Sequence, residues 1–194
     1  MFGDMMNYPN GIKRNNQKSS IPNGNRGMSL ENDLNLSNQY YRNNNIALIY
    51  KKPTPIKATK ISYTNNCKKI NDGFFEMAST TDYNGVYLGY YIDFEAKMTN
   101  NLTSFPLSNI HAHQLEHLLA VNNHGGISFL IIRFTKLNLT FLIETNKISD
   151  IIKDRKNIPL SLLKERGFII QEKYEPRLDY LKIVDQIIGG KNEI

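Results

Sequence analysis

Asp82, Glu95, Lys97 and Gln114 fall in one stretch, Ser79 to His117, and their types and order suit metal-assisted attack on a phosphodiester. Residues from Val86 to Met98 read as a hairpin ending in a strand, rich in Tyr, Val, Ile and Phe. Strand side chains alternate between faces. Tyr91, Asp93, Glu95 and Lys97 therefore share one face, and Ile92, Phe94, Ala96 and Met98 the other. The apolar set can face a core, which leaves the polar set for a cleft. Asp82 lies just before the hairpin, whose return can bring it beside Glu95. Two hard oxygen ligands of this kind suit Mg²⁺, which keeps several waters and binds through few carboxylates plus substrate phosphate. Lys97 then supplies a cation for the attacking water or for the charge developing on phosphorus. Taken alone, acid–gap–acid–x–Lys also describes an ordinary solvated strand face.

The flanking elements must hold this set in place. Ser29 is a good N-cap for a helix over Leu30 to about Asn43, with Glu31 in its first turn. Ile46 to Tyr50 reads as a strand entering the core. KKPTP, from Lys51 to Pro55, cannot be a central strand, because proline removes a donor and stiffens the chain. Lys57 to Tyr63 reads as a strand. TNNCKKINDG reads as a turn, followed by Phe74, Phe75 and Met77. Asn84-Gly85 marks a turn and Gly89 a second bend. Ser108 can cap a helix from Asn109 to about Val121, with Leu115, Leu118 and Leu119 on its apolar face and Gln114 at its middle. His113 and His117, four apart on that helix, can share a zinc ion, although helix-face histidines near phosphate are the easier account. GGISFLIIRF and NLTFLIE read as two strands, the first apolar throughout and central. Short helices near Ser149 to Asp154 and from Ser161, an edge strand at Phe168 to Glu172 and an amphipathic helix over Leu178 to Ile188 complete the chain. No repeat and no phosphate-cradling Gly-rich loop is present.

At 194 residues the chain is long enough for one domain with its own core. Its single cysteine, Cys67, excludes an internal disulfide and favours a reducing, cytoplasmic setting. No signal pattern opens the sequence and no apolar run is long enough to span a membrane. Residues 1 to 60 carry nine Lys or Arg and three Asp or Glu, whereas the remainder carries fifteen of each. The whole net charge of +6 thus sits in the N-terminal third, which suggests a polyanionic partner. Residues 1–25, rich in Asn, Gly, Ser and Lys, read as a flexible basic arm whose Lys13, Arg14 and Lys18 can meet phosphates or simply be solvated.

The strings STTDYNG, YIDFEAK, TSFPL and HQLEH resemble the RecU family of Holliday-junction resolvases, within the PD-(D/E)xK nuclease superfamily. So do NRGMSLENDLN, KKPTP and EPRLDY, and the likeness runs in order from about Asn25 to about Val184. Asp82, Glu95 and Lys97 match the superfamily motif, with Thr81 in place of its proline, a departure that RecU itself shows. The resemblance implies an α/β fold: a restriction-endonuclease-like mixed sheet flanked by helices, spanning 26–190, with 51–78 as an inserted stalk. It implies Mg²⁺, for which Mn²⁺ can substitute, held by Thr80, Asp82, Glu95 and Gln114, with Lys97 stabilising the transition state. Glu31 is a second-tier candidate for supporting the metal. The stalk would enter the open centre of a four-way junction. Arg26, Lys51, Lys52, Lys57, Lys60, Lys68, Lys69, Phe74 and Phe75 are the DNA-contacting candidates, the phenylalanines by stacking unless they pack a core. Paired cuts giving 5′-phosphate and 3′-hydroxyl imply a homodimer. The strand-exchange recombinase and the branch-migration machinery are further expected partners. The rivals are a restriction- or repair-type nuclease acting on duplex DNA and a non-cleaving, strand-annealing recombination factor.

Overall fold

The computed structural model describes residues 29–64, 67–75, 80–152 and 154–192. The arm at 1–25, Arg26 and Met77 lie outside them. Helix α1 spans Leu30–Asn43, and Ser29 caps it by accepting from the Asn32 N–H at 3.3 Å. The strands follow as β1 (Leu48–Lys51), β2 (Ile56–Thr64), β3 (Cys67–Phe75), β4 (Tyr83–Tyr87), β5 (Tyr90–Thr99) and β6 (Ser104–Pro106). Then come α2 (Ala112–Asn123), β7 (Ile127–Phe134), β8 (Leu139–Glu144), α3 (Thr145–Ile152), β9 (Asn157–Pro159), α4 (Leu160–Arg166), β10 (Phe168–Ile169) and α5 (Leu181–Asn192). No helix among the described residues is long and apolar enough to cross a membrane.

Six strands form one mixed sheet in the order β1-β4-β5-β7-β8-β10. The β5–β7 pair is parallel and the others antiparallel. A parallel pair needs a crossover, and α2 lies in it. Alternation sorts the side chains into two cores. Ile92, Phe94, Phe129, Ile131 and Leu142 pack with Leu30 and Leu34 of α1 and Val184 and Ile187 of α5. Leu130, Ile132, Phe134, Phe141 and Ile143 pack on the opposite face with Leu118, Ile148, Ile151 and Leu163 of α2, α3 and α4. β7 is buried along its whole length, as its unbroken apolar run requires. Ionic ties lock the first core: Arg133 reaches Asp33 of α1 at 2.6 Å, and Arg177 reaches the same carboxylate at 3.1 Å.

The strand read at Ile46 to Tyr50 is β1, which enters the sheet at its edge rather than its centre, and Met98, placed on the apolar face, is 45% exposed. Three readings of turns and caps also differ from the structure. Asn84-Gly85 is not a turn but the middle of β4, and the hairpin turns at Leu88-Gly89, both with positive φ. Gly85 is required by a close approach instead, since a Cβ there would lie 2.0 Å from the Leu48 carbonyl oxygen. Gly85→Ala must push β1 off the sheet. We expect it to cost about 2–4 kcal/mol, read as a lower urea midpoint; an unchanged midpoint would show that β1 yields freely. Second, Ser108 lies in a 3-10 turn over Leu107–Asn109, and α2 starts later, capped by His111 in a reciprocal box with Gln114. Gln114 therefore sits in the first turn of α2 and not at its middle. Third, CKKINDG is strand rather than turn. Pairing with β2 imposes it despite Asn, Asp and Gly, with register shifts absorbed between Ala58 and Ile61.

β2 and β3 form a separate two-stranded ribbon. Every residue of β3 is exposed, including Phe74 at 53% and Phe75 at 75%, so neither phenylalanine packs a core. Lys57 lies over the Phe74 ring at 5.9 Å and Lys68 over Tyr63 at 5.7 Å. Lys51 and Lys52 precede the ribbon. Lys51 belongs to β1, opposite Tyr83, and Lys52 leaves the sheet edge beside Asp82.

Candidate active site

The charged face of β5 is not solvated. Asp93 and Glu95 are both 0% exposed, because α2 crosses above them. Two polar contacts hold α2 down: the Ser128 hydroxyl donates to the Leu118 carbonyl at 2.7 Å, and His117 Nε2 meets Asp93 Oδ2 at 3.1 Å. Lys97 lies at the edge of this cover, 21% exposed.

Asp82 reaches Glu95 as the hairpin return predicts. The Asp82 N–H donates to Glu95 Oε2 at 3.0 Å. Lys97 Nζ stands 2.7 Å from Glu95 Oε1, a close ion pair at the edge of the cover. Burial pushes the Glu95 carboxyl up to about 7; Lys97 opposes this and the Asp82 carboxylate adds to it. Two acids brought together out of water are the chemical complement of a hard divalent cation.

The remaining candidates lie around this pair at unequal depth. Thr80 is the residue two before Asp82, and its hydroxyl is 3.4 Å from Lys52 Nζ. Gln114 is buried, and its Oε1 accepts from the His111 N–H at 3.2 Å. Glu31 comes from the opposite layer. Its carboxylate holds Lys51 at 2.5 Å, and its charge, with those of Asp82 and Glu95, bears on the Tyr83 hydroxyl. Burial first, then these three acids, push that hydroxyl well up. Among the described residues no three His, Cys, Asp or Glu side chains converge as a ready metal cluster. Any metal shell here would therefore combine the Asp82–Glu95 pair with neutral oxygens and water. His117 is engaged by Asp93, and His113 stacks on His111.

A second polar knot adjoins the pair; the sequence offered Lys52 as a DNA contact and His117 as a helix-face histidine, and placed Tyr91 and Asp93 on the cleft face without a role. Asp93 accepts from the Tyr91 hydroxyl at 2.8 Å and from Lys52 Nζ at 3.0 Å, and is also bonded by the Thr81 hydroxyl and His117. Lys52, expected among the stalk's DNA contacts, is thus turned into the body. Asp93 was legible as a member of the Glu95 face, but its partners from other elements were not.

The Recombination protein U family profile matches residues 25–186 of the chain. A protein of Pediococcus pentosaceus named Holliday junction resolvase RecU is 47% identical over 195 residues, covering 94% of this chain and 97% of its own. Proteins of the same name from a Geobacillus species and from Staphylococcus aureus are 48% and 45% identical, covering 84% and 97% of this chain and 85% and 99% of their own. Among solved structures, Hjc, a Holliday junction resolvase of Archaeoglobus fulgidus, aligns with a TM-score of 0.45 at 12% identity, over 74% of this chain and 95% of its own. The profile match and the near full-length relatives show that the chain belongs to the RecU family.

Proposed function

We propose that this protein is a Holliday junction resolvase, a Mg²⁺-dependent endonuclease that places paired, symmetric nicks in four-way DNA junctions during recombination and repair. The observation that carries the chemistry is the fully buried Glu95 carboxylate, bonded by the Asp82 N–H at 3.0 Å and paired with Lys97 at 2.7 Å. The relatives named as resolvases supply the substrate class. Asp82 and Glu95 would hold the metal, with the Thr80 hydroxyl and the Gln114 amide oxygen completing or orienting its shell. Bound there, Mg²⁺ or Mn²⁺ supplies Lewis-acid stabilisation of phosphoryl charge and a more acidic water.

The chain's own groups do the rest. Lys97 is partly exposed, so its ammonium can turn from Glu95 Oε1 toward charge developing on a phosphate or orient the attacking water. The cover of α2 keeps Glu95 dry, which strengthens each of these interactions. The nick leaves a 5′-phosphate and a 3′-hydroxyl. Two coordinated cuts on opposed strands call for two sites, hence a homodimer. The strand-exchange recombinase and the branch-migration machinery are the partners this role implies.

The ribbon suits the junction rather than the cut. Lys57, Lys60, Lys68 and Lys69 bring charge to phosphates, and the bare rings of Phe74 and Phe75 offer stacking platforms worth about 1–3 kcal/mol per base. Replacing residues 56–75 by a short Gly-Ser link should abolish the preference for a four-way junction over linear duplex. Preference surviving that deletion would remove the ribbon from the account. The whole reading is tested by cleavage of a labelled mobile junction beside a matched duplex, with Mg²⁺ and with chelator. Paired symmetric nicks in the junction alone, only with metal, are expected. Binding without cutting would mark a strand-annealing factor, cutting both alike a general nuclease, and single unpaired nicks would sink the dimer.

A further inference from the structure

Lys52 is tied to the Thr80–Asp82 segment at both its main chain and its side chain. Its N–H donates to the Asp82 carbonyl at 2.7 Å. Its ammonium lies 2.9 Å from the Thr81 hydroxyl and 3.4 Å from that of Thr80. The same ammonium is fixed from below by Asp93 Oδ2 at 3.0 Å, and Thr81 also bonds Asp93. Tyr91 and His117 hold that carboxylate in turn, so the anchor itself cannot swing. Lys52 is only 21% exposed, and three oxygens already share its charge. It is poorly placed to reach DNA and well placed to hold the loop that carries Thr80 and Asp82.

We propose that Lys52, anchored on Asp93, is a positioning residue that fixes the metal-holding segment Thr80–Asp82 against Glu95. This rests on the resolvase reading above for the identity of the cation. The physical need is plain. Glu95 is fixed within β5, whereas Thr80 and Asp82 lie in the loop before β4, and the two acids repel each other without metal. A hydroxyl and a carboxylate serve a metal only if both are held within a few tenths of an ångström. An ammonium bridging Thr80, Thr81 and Asp93 supplies that hold without itself touching the metal. Its position adds a consequence. The chain departs for the ribbon just after Lys52, through Pro53-Thr54-Pro55, and the described chain resumes at Thr80. The residue that fixes the metal segment is therefore also the root of the ribbon.

The test compares Lys52→Ala, Lys52→Arg and the double variant Lys52→Met/Asp93→Asn with the full unaltered chain. The double variant removes both charges and so leaves no buried carboxylate stranded, which keeps the test available should the single alanine fail to fold. Mn²⁺ binding is measured by calorimetry without DNA, junction binding in chelator, and junction cleavage as a function of Mg²⁺ concentration. Lys52→Ala and the double variant should bind Mn²⁺ about ten- to a hundredfold more weakly. Their half-saturating Mg²⁺ should rise to match, with junction affinity in chelator within about twofold. Lys52→Arg should recover part of the metal affinity. Unchanged Mn²⁺ affinity would overturn the proposal, whether cleavage is lost or kept. Weaker junction binding in chelator with normal Mn²⁺ affinity would make Lys52 a DNA contact and overturn it too. An unaltered chain that binds Mn²⁺ but cuts no junction would instead refute the resolvase reading.

Discussion

Asp82→Asn protein is expected to bind a four-way junction in chelator as tightly as the unaltered chain, and to leave it uncut when Mg²⁺ is supplied. The substitution keeps the shape of the side chain and the N–H that donates to Glu95 Oε2, so the loop has no reason to move. What it removes is one of two negative charges facing a shared point. A hard cation held by two carboxylates and neutral oxygens loses much of its affinity when one carboxylate becomes an amide. The cation's share of transition-state stabilisation, several kcal/mol, goes with it. A loss of about 4 kcal/mol corresponds to roughly a thousandfold in rate. Junction affinity should not fall, because the exposed lysines and aromatic rings of the ribbon lie apart from Asp82 and one acid fewer faces the phosphates. Single-turnover cleavage with saturating protein separates the two effects. A rate within tenfold of the unaltered chain would show that Asp82 holds no metal needed for the chemistry.

How far the sequence revealed this arrangement depends on the range of the contact involved. The helix over Leu30–Asn43 and its Ser29 cap follow from signals a few residues apart. The alternation along β5 is equally local, and it correctly puts Glu95 and Phe94 on opposite faces. The pairing of Asp82 with Glu95 needed one hairpin return, which was still legible although the turn itself was misplaced. Asn-Gly is a turn signal only where nothing else demands a glycine; here the backbone of β1 demands Gly85. The Asp93 knot was illegible for a different reason. It joins residues 52, 81, 91, 93 and 117, drawn from the sheet edge, a loop, a central strand and a helix. Only the packed sheet brings these together. The same holds for α2: its start was misread because His111 rather than Ser108 makes the capping box, and with it the depth of Gln114.

The Glu95 carboxylate should also betray itself in stability. In chelator near pH 8, Glu95→Gln is expected to melt about 4–8 °C above the unaltered chain, although it should cut no junction at all. A carboxylate at 0% exposure beside a second acid is costly in its charged form. Its folded value, about 7, lies above the ordinary 4.5. The native state therefore holds this proton more tightly than the unfolded chain does. Stability lost to this group is nil below pH 4.5, grows as pH rises through the interval, and is complete above about 7. The full difference is at most about 3 kcal/mol. Part of it is offset in the glutamine variant, whose Lys97 loses its partner, which leaves about 2 kcal/mol and the melting shift quoted. The gain should accordingly shrink toward zero at pH 4.5–5, where the unaltered carboxyl is protonated. Mg²⁺ is expected to reverse the order: bound at the native carboxylate pair it should raise the melting temperature of the unaltered chain with its concentration but barely move that of the variant. Melting curves at two pH values, with chelator and with Mg²⁺, check all three statements. A glutamine variant less stable than the unaltered chain at pH 8 in chelator would mean that Lys97 already neutralises Glu95. Equal stabilisation of both proteins by Mg²⁺ would place the metal elsewhere. The expected pattern is that of a residue kept for its chemistry at the expense of the fold, with the metal restoring what the buried charge takes away.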